Sequence, residues 1–181
     1  DTPGYFDVVG EVEEAVSVAD AAVIVVSGKA GVQVGTEKAW ELCEEYRLPR
    51  LIFVTNMDDD QASFRELILK LEKRFGRKIA PFQVPIRENE KFVGFVNVVK
   101  MGGRRFTNLS DYEECEIPEY TKKNLNIVRD ALIEAVAETS EEYMERYFSG
   151  EEFTQEEISA ALREHVTEGN IVPVLMGSGV N

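Results

Sequence analysis

The run Leu51 to Val54, together with the polar string that follows it, constrains the fold more than any other part of the chain. Four consecutive apolar residues lead directly into Thr55-Asn56-Met57-Asp58. Such a run is typical of a strand that is buried on both faces of a parallel sheet. Open α/β sheets bind their ligands at the carboxyl edge of the strands. We therefore expect Thr55 to Asp58 to lie at a binding edge.

Two further apolar runs have the same character, Ala21 to Val26 upstream and Ile171 to Leu175 near the end. From Asp1 to Asp58 the predicted order is loop, helix, strand, helix, strand. This alternation indicates a doubly wound parallel sheet, and hence an α/β fold. Thr36 is the expected cap of the second of these helices.

The pattern changes after about residue 62. Ile79 to Ile86, Phe92 to Val99 and Arg104 to Thr107 are short β-prone runs between polar turns, which predict a small, mostly antiparallel sheet. Three amphipathic helices follow. This segment is far longer than the roughly 4 to 6 residues of a usual connection. We expect a main domain over residues 1–61 and 170–181 and an inserted α+β subdomain over 62–169.

Helix boundaries are marked by capping signals in this inserted segment. Thr139 with Glu142, and Thr154 with Glu157, have the spacing of a capping box and predict two helix starts. Gly76 is expected to end the helix that precedes the short β-prone runs, and Gly169 is expected to end the helix that Thr154 begins.

The chain of 181 residues has 34 acidic and 20 basic side chains, a formal net charge of -14. This excess of negative charge argues against direct nucleic-acid binding and fits either a basic protein partner or simple solubility. No apolar run approaches the roughly 20 residues that span a bilayer, and no secretory signal opens the chain. Cys43 and Cys115 show no metal-ligand spacing, so we expect two free thiols in a cytoplasmic protein.

Three short motifs carry the candidate chemistry. Asp1-x-x-Gly4 offers a carboxylate for Mg²⁺ and a glycine amide for a terminal phosphate, although an ordinary turn also fits. The carboxylate of Asp58 suits the planar pair of N–H donors on a guanine edge, or it caps a turn. The small residues from Gly177 to Gly179 admit close backbone approach to a ligand, or form a tight turn.

The three motifs occur in the order of the third, fourth and fifth signature loops of GTP-binding domains. The chain resembles the GTPase domain of bacterial elongation factor G through Asp1 to Gly4, Arg50 to Asp58 and Pro173 to Ser178. The inserted segment resembles the extra subdomain of that family through Ala80 to Ile86, Phe92 to Gly94, Ser140 to Glu145 and Gly150 to Glu152. The resemblance covers essentially the whole chain. It implies a partial P-loop GTPase sheet with GTP or GDP and Mg²⁺ as cofactors.

The resemblance also implies roles for the first five residues. Asp1 would lie at the magnesium side of the phosphate site and Gly4 at the terminal phosphate, with Thr2 and Pro3 as further nucleotide-binding residues of the same loop. Tyr5 occupies the position where translational GTPases have the His that orients the attacking water, so it is the candidate catalytic residue.

The base-binding end follows from the same comparison. Asp58 would read the guanine, and Ser178 and Gly179 would supply the last contacts to the base edge. Met57 lies within the same string, in which Thr55 and Asn56 replace the usual Asn-Lys pair, while Gly179 replaces an Ala. These departures, with Tyr5, indicate a paralogue of elongation factor G.

The sequence contains no Gly-x-x-x-x-Gly-Lys-Ser/Thr motif. Ser27-Gly28-Lys29-Ala30 has a Gly-Lys pair but lacks the earlier glycine and the following hydroxyl. We therefore expect an excised fragment whose phosphate loop and first switch lie upstream. Such a fragment would bind nucleotide weakly or not at all, because the phosphate contacts are missing.

Two functions are compatible with these residues. In the first, the parent protein hydrolyses GTP and couples hydrolysis to a ribosome-associated step, which is translocation, rescue or ribosome protection. In the second, a degenerate GTPase acts as a ribosome- or partner-binding module. In that second function the acidic helices of the inserted subdomain would dock a ribosomal stalk protein, as the resemblance implies, or another basic partner.

Overall fold

The computed structural model describes residues 2, 9–76, 78–108 and 111–179. The predicted roles of Asp1, Pro3, Gly4 and Tyr5 therefore fall outside the described residues, and Thr2 is exposed. In chain order the elements are α1 (Val9–Ser17), β1 (Ala22–Ser27), α2 (Val34–Glu45), β2 (Arg50–Thr55), α3 (Phe64–Phe75), β3 (Ile79–Pro81), β4 (Gln83–Glu88), β5 (Lys91–Asn97), β6 (Gly102–Phe106), β7 (Tyr112–Cys115), α4 (Lys122–Ala137), α5 (Glu141–Ser149), α6 (Gln155–Thr167) and β8 (Val172–Met176).

Four strands form a parallel sheet in the order β1-β2-β8-β3. The three strands that the apolar runs predicted are all present in it. Ile52 and Val54 of β2 and Val172 and Val174 of β8 are at most 1% exposed, because β2 and β8 lie in the middle of the sheet. The last strand thus returns to the centre of the sheet and places its carboxyl end beside that of β2.

Both ends of helix α3 are set by capping residues in its sequence. The Ser63 hydroxyl accepts a hydrogen bond from the Glu66 amide, and the helix ends at Gly76, which has φ 83°.

The start predicted for α2 was wrong. That helix begins at Val34, and Thr36 lies in its first turn, where its hydroxyl accepts from the Gln33 amide at 3.3 Å.

A second, antiparallel sheet has the order β4-β5-β6-β7. The predicted single run Ile79 to Ile86 is divided between the two sheets at Phe82. The Phe82 amide donates to the Val174 carbonyl of β8 at 3.0 Å, and its carbonyl accepts from the Val98 amide at 2.9 Å. Strand β3 therefore belongs to the parallel sheet, contrary to the expectation, and only β4 joins the small one.

Helices α4 to α6 pack together through a shared apolar cluster. The predicted capping box of Thr154 and Glu157 begins α6, and Gly169 with φ 75° follows its end, as expected. The cap of α5 was predicted one residue too early. Ser140 accepts from the Tyr143 amide at 3.1 Å, whereas the Thr139 hydroxyl donates backwards to Val136. No described helix has the length and apolar content that a bilayer crossing requires.

Candidate functional site

The carboxyl ends of β1, β2 and β8 meet through backbone hydrogen bonds. The Gly28 amide after β1 donates to the Thr55 carbonyl at 2.8 Å. The Gly177 amide after β8 donates to the Val54 carbonyl at 2.9 Å, and the Met57 amide reaches the Gly177 carbonyl at 3.4 Å. The structure therefore brings together two of the predicted motifs, Thr55 to Asp58 and Ser178 to Gly179.

The loop after β2 makes a tight turn. Asn56 has φ 55°, a left-handed conformation that Asn tolerates better than most residues. The Asp59 amide donates back to the Asn56 carbonyl at 3.2 Å, and the Thr55 hydroxyl donates to the Asn56 side-chain oxygen at 3.1 Å. Asp58 lies in this turn with its side chain exposed.

Met57 faces the opposite way from Asp58. Its side chain is fully buried in the core, so only its backbone is available at the site. This anchor fixes the turn to the sheet beneath it, because burial of a side chain of this size contributes about 1.5 to 3 kcal/mol. The alternation of one buried and one exposed residue presents Asp58 outward.

Gly177 permits the close approach of the loop after β8. A Cβ atom at this position would lie 2.9 Å from Cζ of Phe53, a separation that real Cβ atoms do not show. Of the small residues that the sequence predicted here, Gly177 is thus the one that packs closely against β2, whereas a Cβ atom at Gly179 would meet nothing within 4 Å. Ser178 follows half-buried and Gly179 exposed, at the same edge.

An ion pair that the sequence pattern did not predict joins two of these loops. Lys29 Nζ lies 3.1 Å from a carboxylate oxygen of Asp59, and the other oxygen of Asp59 accepts from the Gln61 amide at 2.9 Å. The hydrogen bond from Gln61, and then Lys29, lower the pKa of Asp59. In the sequence, Lys29 stands out only as part of an incomplete phosphate motif. The available signal for the ion pair was a Gly-Lys pair after one strand and an acidic run after the neighbouring strand.

A second missed residue, Arg87, comes from β4 of the antiparallel sheet. Its guanidinium donates to the carbonyl of Met57 and, at 3.0 Å, to that of Asp59. No local pattern in the sequence predicts such a contact, because it joins a single Arg side chain to backbone oxygens about thirty positions earlier.

Comparison with known proteins identifies the domain. Residues 1–181 match the family described as the elongation factor Tu GTP binding domain. The chain belongs to this family. It is 37% identical over 180 residues to an elongation factor G-like protein of Thermotoga maritima, covering 99% of this chain and 26% of that protein. A crystal structure of a protein from Thermus thermophilus is similar with a TM-score of 0.88 at 38% identity, over 99% of this chain and 27% of that one.

The resemblance to elongation factor G is therefore confirmed, and so is the α/β GTPase fold with an inserted subdomain. Membership of this GTPase family implies guanine-nucleotide binding, usually with Mg²⁺. The chain spans about a quarter of the length of these two relatives.

The described loops do not form a magnesium site by themselves. Asp1, the predicted ligand, lies outside them, and across 9–76, 78–108 and 111–179 no three His, Cys, Asp or Glu side chains gather in a metal-binding cluster. Mg²⁺ prefers several oxygen ligands at about 2.0 to 2.1 Å, including nucleotide phosphates. The described loops are those of the predicted base-binding end, which lies apart from the predicted metal ligand in the sequence.

Proposed function

We propose that this chain forms the guanine-reading part of a translational GTPase that couples GTP hydrolysis to a ribosome-associated step, which is translocation or a related task. The observation that carries the proposal is the adjacency of the exposed Asp58 to the loop of Ser178 and Gly179. The 3.4 Å contact between the Met57 amide and the Gly177 carbonyl joins these two loops at the edge of the sheet.

The residues at this edge match the chemistry of guanine. The Asp58 carboxylate accepts two hydrogen bonds from the ring N–H and the 2-amino group, a charge-assisted and bidentate contact. Backbone amides at Ser178 and Gly179 donate to the carbonyl oxygen of the base. Thr55 and Asn56 stabilise the turn through the hydrogen bond between their side chains.

Catalysis is assigned to residues before α1. Asp1 would hold Mg²⁺, Gly4 would bind the γ-phosphate with Thr2 and Pro3 in the same loop, and Tyr5 would orient the attacking water through its phenol. The family relationship and the sequence positions support these roles. Protein with Y5F should retain GDP affinity and lose ribosome-stimulated turnover, since only the hydroxyl is removed.

The direct experiment compares the full-length protein with its D58A variant. We expect D58A to lose guanine-nucleotide affinity by at least about tenfold, the scale of one charge-assisted hydrogen bond. The matched control is D60A, which removes an exposed carboxylate two residues further on. GTP turnover is measured with and without ribosomes. Unchanged GDP affinity in D58A would show that the assignment is wrong.

The inserted subdomain is the proposed contact surface for the ribosome, including its stalk protein. It carries exposed carboxylates on α5, among them Glu142 and Glu145, and on β7, where Glu113 and Glu114 are exposed. Charge reversal of either pair should change ribosome co-sedimentation in a salt-dependent manner. If neither E142K/E145K nor E113K/E114K alters binding, the partner does not use this acidic surface.

A second candidate function is a degenerate GTPase that acts as a binding module. It is favoured by the altered turn, in which the Thr55 hydroxyl donates to Asn56 where the family usually has an Asn-Lys pair. This alternative predicts ribosome association without GTP turnover in either condition. Turnover that ribosomes stimulate would exclude it.

A further inference from the structure

Strand β4 fastens the antiparallel sheet to the edge that carries the candidate site. Val84 and Ile86 point into the core, so Gln83 and Arg87 share the opposite face of the strand. The Gln83 side-chain oxygen accepts from the Met176 amide of β8 at 2.8 Å. Arg87 reaches the loop after β2. One face of β4 therefore holds both β8 and the Asp58 loop.

Arg87 binds the two carbonyl groups that flank Asp58. One is the carbonyl of Met57, and the other is that of Asp59 at 3.0 Å. These oxygens belong to the peptide units on either side of residues 58 and 59, and the Nη2 atom of Arg87 donates to both. This shared donor restricts the rotation of the intervening backbone. The direction of the Asp58 carboxylate depends on that rotation.

The position of Arg87 is itself secured. The Tyr120 hydroxyl donates to the Arg87 carbonyl at 2.7 Å, and Arg87 is paired with Phe92 of β5 in the antiparallel sheet. Among the described residues no carboxylate forms an ion pair with Arg87. Its charge therefore acts on the loop carbonyls, unlike that of Arg105 on β6, which pairs with Glu88.

We propose that Arg87 is a positioning residue for guanine recognition, which holds the backbone around Asp58 so that the carboxylate meets the base edge. The proposal rests on the proposed role of Asp58. It adds that the antiparallel sheet and the base-reading loop are mechanically joined, so that displacement of β4 changes guanine affinity. By linkage, a bound guanine nucleotide shifts the equilibrium between the positions of β4 by the same coupling free energy.

The test uses the full-length protein and two nucleotides, GDP and IDP. Inosine lacks the 2-amino group, so the ratio of the IDP to the GDP dissociation constant reports how well Asp58 meets the base. We expect R87A to weaken GDP binding about tenfold, to speed GDP release and to lower this ratio. R87K should give a smaller loss, because an ammonium keeps the charge and several N–H donors for the two carbonyls, which the single Nη2 atom of Arg87 binds here. R105A is the matched control and should bind both nucleotides as the unmodified protein does.

The outcomes separate the two proposals. If R87A leaves the ratio unchanged, so that GDP and IDP binding weaken equally or not at all, the positioning role is wrong, whether or not the variant is less stable. If D58A abolishes GDP binding in the same experiment, the proposed role of Asp58 nevertheless stands. If D58A retains the full ratio, the proposed function fails and the inference fails with it.

Discussion

The Cα of Gly28 lies so close to the buried Met57 side chain that a Cβ atom there would stand 2.9 Å from the sulfur. The same atom would lie 3.1 Å from the Thr55 carbonyl oxygen, which belongs to the backbone and yields little. We therefore expect G28A to destabilise the protein by about 1 to 3 kcal/mol, the usual cost of overpacking. Urea unfolding measures this change.

A matched glycine provides the control for that substitution. Gly10 lies within α1, is exposed, and a Cβ atom there would meet nothing within 4 Å. G10A should be stabilising by about 0.5 to 1 kcal/mol, because alanine restricts the unfolded chain. Equal effects of G10A and G28A would contradict the packing argument.

Glu157 makes part of the stability depend on pH. Hydrogen bonds from Arg146, followed by the Thr154 amide, lower the pKa of Glu157 from 4.5 to about 2. Because the folded pKa is the lower one, this contribution is complete above about pH 4.5 and is lost as the pH falls towards 2. The urea midpoint should fall more steeply over that interval in the unmodified protein than in E157Q. E156Q, which changes the neighbouring carboxylate, is the control, and parallel curves for all three proteins would refute the prediction.

Leu132 tests the packing of the helices of the inserted segment. It is fully buried on α4, which contacts both α5 and α6. L132A should lower the free energy of unfolding by about 2 to 5 kcal/mol through lost burial and a residual cavity. I127A on the same helix removes a side chain that is 55% exposed, so its effect should remain within about 0.5 kcal/mol. Similar losses in both variants would show that α4 is not packed as described.

The two thiols should differ in reactivity. Cys43 is 1% exposed, and burial raises the pKa of its thiol, whereas Cys115 is half-buried. Since the thiolate is the reactive form, iodoacetamide should modify Cys115 first. Cys43 should react only as fast as the surrounding structure opens. A C115S variant that is alkylated as quickly as the unmodified protein would contradict this order, and mass spectrometry of the peptides identifies the site.

The central strands could be predicted from the sequence because burial on both faces leaves an uninterrupted apolar run, as in Leu51 to Val54. Strand β7 was missed for the opposite reason. Tyr112 to Glu114 are exposed, so its backbone pairing with β6 leaves no apolar pattern. The cap of α5 was misplaced because Thr139 and Ser140 are adjacent hydroxyl residues, and only the backbone geometry distinguishes them.

The candidate site divides in the same way. Asp58, Ser178 and Gly179 were found because polar and small residues follow buried strands, a local signal. Lys29, Asp59 and Arg87 act through contacts between distant parts of the chain. The ion pair of Lys29 and Asp59 joins two loops of the parallel sheet, and the contact of Arg87 depends on how the two sheets meet. The sequence pattern therefore predicts which residues lie at the edge of the parallel sheet, but it does not predict the side chains that hold those loops in place.

The peptide groups of Phe82 serve both sheets, and this has a practical consequence for exchanging segments between related proteins. Removing residues 62–169 as a cassette would also remove β3 and leave β8 with β2 as its one neighbouring strand in the described sheet. A graft that begins after Pro81 would keep the parallel sheet whole, yet it would still need a substitute for the Gln83 oxygen at the Met176 amide. The transplanted segment must therefore supply that one polar atom, because the acceptor protein keeps only the Met176 amide.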